Sequence, residues 1–210
     1  MLVDLGILRD RNDKTYTIFT NEITSDFMND PHFPRRMRPS EYVNECWSRY
    51  ETFLNSLTPE EKKKMNSTNG KIFEIIIVTA LLRKKIGPFY YQANATLVPD
   101  VDYDIITYDK KANIPITISI KTSSRERYKQ ADLEAYAFSN VHRNALNYLV
   151  LLNREDSNNV REKISKKETM GLQAVVLATD REFDDFANEL KKRKLAWSIK
   201  IELFHGRRMR

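Results

Sequence analysis

The sequence predicts an α/β protein in which a mixed sheet is flanked by helices, and three stretches carry this prediction. Residues 99–121 alternate between apolar and polar side chains with a period of two on both sides of a turn, as in a β-hairpin. Residues 71–86 are apolar nearly all round, which predicts a buried helix that ends at Gly87 and Pro88. Beyond residue 145, apolar runs alternate with polar helical segments, so further α/β units are expected.

The first 69 residues are predicted to form a mostly helical extension to a core at residues 70–210, the two together making one compact domain. A short strand is expected at residues 16–19, and three prolines predict an extended loop at residues 30–39. Ser40 is the expected N-cap of a helix with apolar residues at helical spacing up to Leu57. Thr58 and Pro59 begin a second helix that is expected to end near Gly70.

The core reads as strands and helices in alternation, once the first helix and the hairpin have been assigned. The other predicted elements are a strand at 89–97, a helix at 125–139 capped by Ser123 or Ser124, a strand at 146–152, a polar helix or loop at 157–167, a strand at 172–178, a helix from Thr179 to residue 194 and a strand at 197–203. The basic residues after Gly206 are expected to fray.

The hairpin gathers polar side chains on one of its faces. Ile116, Ile118 and Ile120 are expected on a buried face, with Ser119 and Lys121 opposite. A register that pairs Asp104 with Ser119 leaves residues 110–113 as the loop and brings Asp104 beside Lys121. The arrangement is either a surface ion pair, which stabilises little, or a site for a hard divalent cation with a lysine beside it.

This pattern resembles the PD-(D/E)XK nuclease superfamily. The resemblance rests on Asp104, two apolar residues, a turn and a strand that ends in Ser119-Ile120-Lys121. The run SIKTSSRERYKQ is similar to the segment after the catalytic strand in type II restriction endonucleases, and the resemblance spans about residues 70–152. It implies a restriction-endonuclease-like core of order αβββαβ, which agrees with the order predicted from periodicity and caps. It also implies Mg²⁺ as cofactor, with Mn²⁺ as a substitute.

One position departs from the superfamily pattern, because Ser119 stands where a glutamate or aspartate is usual. Glu134, on the helix after Lys121, is the expected replacement, whereas Glu126 lies in the first turn, where it also serves the helix dipole. Glu74 is the exception on the apolar helix and either pairs with an arginine or faces the site. The implied catalytic and metal-binding set is Asp104, Ser119, Glu134 and Glu74, with Lys121 positioning the attacking water.

Two basic segments are the predicted DNA contacts. In the proline-rich loop, Arg35, Arg36 and Arg38 would contact phosphates or a groove while Met37 acts as a wedge between base steps, the alternative being a solvated basic loop. After the catalytic lysine, the expected contacts are Ser123, Ser124, Arg125, Arg127, Lys129 and Gln130.

Composition and charge agree with an intracellular DNA-binding protein. The formal net charge is +6, which suits a polyanionic partner. Cys46 is the single cysteine, so a disulfide framework is excluded, and the longest apolar run is too short to span a bilayer. Without a recognisable signal peptide, the expected location is the cytoplasm and no membrane partner is expected.

The function predicted from these features is that of a Mg²⁺-dependent type II restriction endonuclease. It would act as a homodimer on double-stranded DNA at a palindromic site. The first 69 residues would then supply DNA or dimer contacts. The alternatives are a repair or junction-resolving nuclease of the same fold, or a DNA-binding protein that has lost catalysis, which Ser119 favours.

Overall fold

A mixed seven-stranded sheet forms the centre of the computed structural model, which describes residues 7, 13–25, 37–96, 98–123, 127–197 and 204–209. The strands are β1 (Phe89–Ala95), β2 (Val98–Asp109), β3 (Ile114–Lys121), β4 (Leu146–Leu151), β5 (Ala174–Leu177), β6 (Leu195–Ala196) and β7 (Phe204–Met209). Their order is β5-β4-β3-β2-β1-β7, with β6 also paired to β2. Strands β3, β4 and β5 are parallel and the remaining pairs are antiparallel. The predicted α/β class with a mixed sheet is confirmed.

Helices cover both faces of this sheet. They are α1 (Lys14–Ile18), followed by a π-helical segment (Phe19–Ile23), α2 (Pro39–Ser56), α3 (Pro59–Lys64), α4 (Asn66–Arg83), α5 (Arg127–Val141), α6 (Arg154–Ser165) and α7 (Arg181–Lys192). Helices α2, α4 and α7 share one apolar cluster with Ile116, Ile118 and Ile120 of β3. Helices α5 and α6 pack on the other face, against Leu149 and Leu151 of β4. The chain order from α4 to β4 is therefore helix, three strands, helix, strand.

The predicted hairpin register is confirmed. Asp109 pairs with Ile114 and Ile105 with Ile118, so residues 110–113 form the loop, and the same register continued by one residue sets Asp104 opposite Ser119. The prediction that β3 buries one face is wrong. Thr117 is 2% exposed and Ser119 is 5% exposed, because α5 covers that face as well. Thr117 Oγ1 there donates to Asn147, whose amide donates to the carbonyl oxygen of Ala135 in α5.

Helix α4 begins earlier than predicted, at Asn66, so Gly70 lies inside it and not at a boundary. The helix ends at Arg83 because Lys85 adopts a positive φ of 56° and Ile86 N–H turns back to the carbonyl oxygen of Leu81. Its buried residues lie on all sides, since the sheet covers one side and α2 the other. The predicted buried helix is therefore confirmed, with shifted ends.

Other differences concern caps and chain ends. Residues 16–19 form helix and π-helix where a strand was predicted. Residues 154–165 form a helix, so of the two alternatives predicted for residues 157–167, a helix or a loop, the helix is confirmed. Ser40 lies in the first turn of α2, which follows Arg38 as N-cap, and Asp180, not Thr179, caps α7. The basic tail belongs to β7, which pairs with β1 along its length. The predicted strand at 197–203 lies largely outside the described residues.

The N-terminal helices contribute to the same core as the sheet. Phe19, Val43 and Tyr50 belong to the apolar cluster that contains the isoleucines of β3. Ser40 also donates both its backbone N–H and its hydroxyl to the buried Asp184 of α7, each at 2.8 Å. Within the described part of the chain, each helix is too short or too polar to cross a bilayer.

Candidate active site

Asp104 and Lys121 meet where β2 and β3 stop pairing. Asp104 Oδ2 accepts the backbone N–H of Ile120 at 2.6 Å and the ammonium of Lys121 at 2.9 Å. Their side chains are only 13% and 16% exposed, so this is a largely buried pair and not the surface ion pair considered above. Both bonds use Oδ2, and the second oxygen of the carboxylate could ligate a cation.

Lys121 carries a firmly held positive charge. Burial alone would lower the pKa of this lysine, but the Asp104 carboxylate, assisted by Glu74 and Glu134, holds the pKa above its ordinary value. The side chain is therefore an ammonium group at neutral pH. In this state it can donate hydrogen bonds and stabilise negative charge, whereas it cannot accept a proton.

Glu74 of α4 is the second carboxylate beside the pair. Burial, followed by repulsion from Asp104, raises the pKa of Glu74 to about 7, although Lys121, Tyr91 and Gln92 oppose the rise. The hydroxyl of Tyr91 donates to Glu74 Oε2 at 3.2 Å. Among the described residues no arginine forms an ion pair with Glu74, so the alternative of a simple arginine partner does not hold. A buried acid that another acid repels is stabilised when a cation binds between them.

A β-bulge in β1 brings two neighbouring residues to the side of the sheet where Glu74 lies. Tyr91 pairs with Arg207 and Asn94 with His205, so β1 contains one more residue than β7 in this interval. Gln92 occupies the bulge with a positive φ of 48°. In a regular strand Tyr91 and Gln92 would point to opposite faces, but here the hydroxyl of Tyr91 donates to Glu74 and Gln92 lines the same cleft as Glu74.

Glu74, Gln92 and Asp104 line one cleft of about 440 Å³. Its walls come from α4, β1, β2 and β7, and the residues that line it are Glu74, Gln92, Asn94, Asp102, Tyr103, Asp104, Gly206 and Arg207. Asp102 lies at its rim, where Asn94 Nδ2 donates to its carboxylate at 2.6 Å. The cleft joins acidic oxygens to a guanidinium, which suits a cation together with an anionic substrate.

Glu134 lies on α5, on the other side of Lys121. Its carboxylate accepts from Gln130 at 2.8 Å, and its backbone carbonyl accepts from the hydroxyl of Tyr103 at 3.1 Å. Burial raises the pKa of Glu134 while the charge of Lys121 lowers it. Among the ion pairs of the described residues Lys121 contacts Asp104 but not Glu134, and Glu134 is not among the residues that line the cleft.

The predicted metal ligands are only partly assembled. Within the described residues, no three His, Cys, Asp or Glu side chains stand close enough together to hold a metal ion. Mg²⁺ keeps several of its waters and is often bound by one or two carboxylates together with substrate phosphates. Asp104 and Glu74, which line one cleft, fit that requirement. Ser119 is buried within β3, so its hydroxyl is a less accessible ligand than either carboxylate.

The predicted DNA contacts after Lys121 are partly described. Arg127, Lys129 and Gln130 are on the first turns of α5 and are solvent-exposed or hydrogen-bonded within the helix, and Ser123 is half-buried. Ser124 and Arg125 lie outside the described residues. A Cβ added to Gly70 would stand 3.7 Å from the guanidinium of Arg127, which places that arginine beside α4.

The proposed wedge in the proline-rich loop is not supported by the position of Met37. Met37 is half-buried and packs against the main apolar cluster, so the premise of a methionine exposed between arginines is wrong. Arg38 is 60% exposed and pairs with Glu41 at the start of α2. Arg35 and Arg36 lie outside the described residues.

Sequence analysis missed Tyr91, Gln92 and Arg207. A bulge leaves no reliable pattern in a single sequence, and Arg207 was assigned to a fraying tail because it lies so near the chain end. The only signal present was the strand predicted at residues 89–97, which contains Tyr91 and Gln92 but does not reveal the neighbours of that strand.

No protein-family model, curated protein or solved structure matches the chain.

Proposed function

We propose that this chain is a Mg²⁺-dependent nuclease of the PD-(D/E)XK type that hydrolyses phosphodiester bonds of double-stranded DNA. The observation that carries the proposal is the largely buried Asp104–Lys121 pair where β2 and β3 stop pairing. Asp104 and Glu74 line the same cleft there. The resemblance requires two acids and a lysine on a mixed sheet: Asp104 and Glu74 line the cleft, and Lys121 is paired with Asp104.

Each residue has a distinct role in this proposal. Asp104 and Glu74 would hold the ion, with Glu134 and an oxygen of Ser119 as the alternative ligands. A bound Mg²⁺ supplies an activated water and neutralises charge on the phosphate. Lys121 keeps its proton, so it would orient the attacking water and stabilise the phosphate charge by donating hydrogen bonds, without acting as a general base.

The narrower form of the proposal is a type II restriction endonuclease that acts as a homodimer. The net charge of +6 suits a polyanionic partner, and the helices before residue 70 would supply dimer or DNA contacts in addition to completing the core. A repair or junction-resolving nuclease is the second candidate. A DNA-binding protein without catalysis is the third; Ser119 favours it, whereas the preserved pairing of Asp104 with Lys121 argues against it.

Incubation with plasmid DNA and Mg²⁺ tests the proposal. We expect the wild-type chain to yield discrete fragments, while Asp104→Asn and Lys121→Met each lower the cleavage rate by roughly two or more orders of magnitude. Asn is chosen because its amide oxygen can still accept the Ile120 N–H. Binding to DNA in Ca²⁺ should survive in both variants.

Lys110→Met is the matched control, because Lys110 is an exposed lysine on the hairpin loop at the far end of β3. It should cleave at the wild-type rate. Structure-specific nicks in place of fragments would support the repair enzyme, and DNA binding without any cleavage would support the inactive protein. Wild-type cleavage by Asp104→Asn would remove this site from the mechanism.

A further inference from the structure

We infer that Arg207, on the last strand of the sheet, binds a backbone phosphate of the DNA strand that enters the cleft. This inference rests on the proposed function and adds to it a second cation, contributed by the C-terminal strand. Neither the sequence motif nor the resemblance includes this residue.

The sheet order sets the two cations on opposite sides of the acids. Lys121 is on β3 and Arg207 is on β7, and the strands between them, β2 and β1, carry Asp104 and Gln92. Arg207 lines the same cleft as Asp104 and Glu74. A phosphate held at the acidic oxygens through a cation would therefore lie between an ammonium and a guanidinium.

Arg207 is held in position by contacts with β1 and with Ile7, and it lines the cleft. The guanidinium carbon stands 5.7 Å from the centre of the Tyr91 ring, and Nη1 donates to the carbonyl oxygen of Ile7 at 2.5 Å. Tyr91 in turn donates to Glu74, which links the arginine to the acidic group through one side chain.

The backbone of β7 comes unusually close to β1 beside this arginine. A Cβ on Gly206 would lie 2.7 Å from Ala93 Cβ and 2.9 Å from Ala93 Cα, closer than such atoms approach. Glycine therefore allows β7 to sit against the bulge. This close pairing fixes where Arg207 leaves the strand, so the side chain is preorganised and does not depend on a fraying end.

A guanidinium suits a phosphate for chemical reasons. Its planar donors match two phosphate oxygens at once, which gives orientation as well as charge. The neighbouring Arg208 points elsewhere, since its guanidinium lies over the rings of Tyr90 and Trp197 and it does not line the cleft. Of the two arginines on this strand, only Arg207 is therefore expected to bind the phosphate.

The test compares Arg207→Met, Arg207→Lys and the matched control Arg208→Met in the full chain. Two quantities are measured: the single-turnover cleavage rate of plasmid DNA in Mg²⁺, and the slope of log affinity against log salt for duplex DNA in Ca²⁺. We expect Arg207→Met to lower the rate by roughly tenfold to a hundredfold and to reduce the salt slope by about 0.9. Arg207→Lys should keep the slope but lose part of the rate, and Arg208→Met should change neither.

Thermal melting of each variant identifies a purely structural role. If Arg207→Met lowers the melting temperature but keeps the wild-type salt slope, Arg207 only anchors Ile7 and the inference is overturned. Equal losses of slope in Arg207→Met and Arg208→Met would also overturn it, because the effect would then be general to the strand. Wild-type protein that neither binds nor cleaves DNA would refute the proposed function and this inference together, whereas an active wild type with an unaffected Arg207→Met refutes the inference alone.

Discussion

At the level of single residues, Asp104 joins the fold to the candidate chemistry. Its Oδ2 accepts the N–H of Ile120 where the pairing of β2 and β3 ends, and it also receives the ammonium of Lys121. An alanine at this position would leave a largely buried N–H and a largely buried lysine without their partner, which costs stability as well as activity. Asparagine is the cleaner substitution, because it removes the charge and keeps an acceptor.

Glu74 gives a prediction about pH. Its folded pKa of about 7 is above the ordinary value of 4.5, so between these values the folded state holds a proton that the unfolded state has released. Stability is therefore lost as the pH rises towards 7. In metal-free buffer, Glu74→Gln should raise the melting temperature relative to wild type by a small amount at about pH 5 and by more at about pH 8.

The control for this experiment is Glu60→Gln, which changes an exposed carboxylate in α3. Its effect on melting should not grow with pH in this range. Addition of Mg²⁺ at about pH 8 should stabilise the wild type more than Glu74→Gln, because only the wild type offers both carboxylates to the ion. A melting difference that stays constant from low to high pH would show that Glu74 is ionised throughout.

At the level of elements, the positions of α5 and β7 determine which acids can share the site. Asp132 of α5 accepts the backbone N–H groups of Met170, Gly171 and Leu172, which ties this helix to the loop before β5. Tyr103 holds the carbonyl oxygen of Glu134. With its backbone fixed in this way, Glu134 can reach Asp104 only by rotation of its side chain, whereas Glu74 already lines the cleft.

The close approach of β7 to β1 gives a second prediction. Gly206→Ala should force the strands apart at the bulge, lower the free energy of unfolding by about 1–3 kcal/mol and reduce cleavage, because the added methyl group has no room. Urea denaturation measures the stability. A variant with unchanged stability and activity would show that β7 can shift without cost.

Gly70→Ala is the matched control for this substitution. Gly70 lies inside α4, and an added Cβ would meet only the guanidinium of Arg127 at 3.7 Å, an ordinary contact. Alanine is also the better helix former, so this variant should be more stable by about 0.5–1 kcal/mol. The two glycines should therefore respond to the same change with opposite signs.

At the level of the whole molecule, the N-terminal helices and the sheet depend on each other. Helix α2 covers the side of α4 that faces away from the sheet, with Val43, Cys46 and Tyr50 fully buried. The buried Asp184 of α7 receives two hydrogen bonds from Ser40 of α2. Removal of the extension would expose the outer side of α4 and leave Asp184 without these donors.

A chain of residues 70–210 alone should therefore fail to fold cooperatively. Urea denaturation followed by circular dichroism should give a broad transition, and the amide spectrum by NMR should show poor dispersion. The full chain measured in the same way is the control. A sharp transition with dispersed signals would establish residues 70–210 as an independent domain and confine the first 69 residues to an accessory role.

The sequence alone determined the local features of this protein. The isoleucines of β3 and the turn chemistry at residues 110–113 were sufficient to predict the hairpin and its register, because a shift by one residue would turn every side chain to the other face. That register in turn placed Asp104 beside Lys121. The buried helix that carries Glu74 followed from the absence of a polar face, because a helix that is apolar all round has to be covered.

Tertiary structure decided the features that depend on packing between distant segments. Burial of Ser119 follows from α5 covering a face that looks polar in the sequence, and the half-buried position of Met37 follows from contact with the main core. The bulge at Gln92 and the pairing of β7 with β1 arise only when the two strands meet, so no local pattern announces them. Packing also decides that Glu74, and not Glu134, lines the cleft together with Asp104. Distance along the chain says little about distance in space once helices pack on both faces of a sheet.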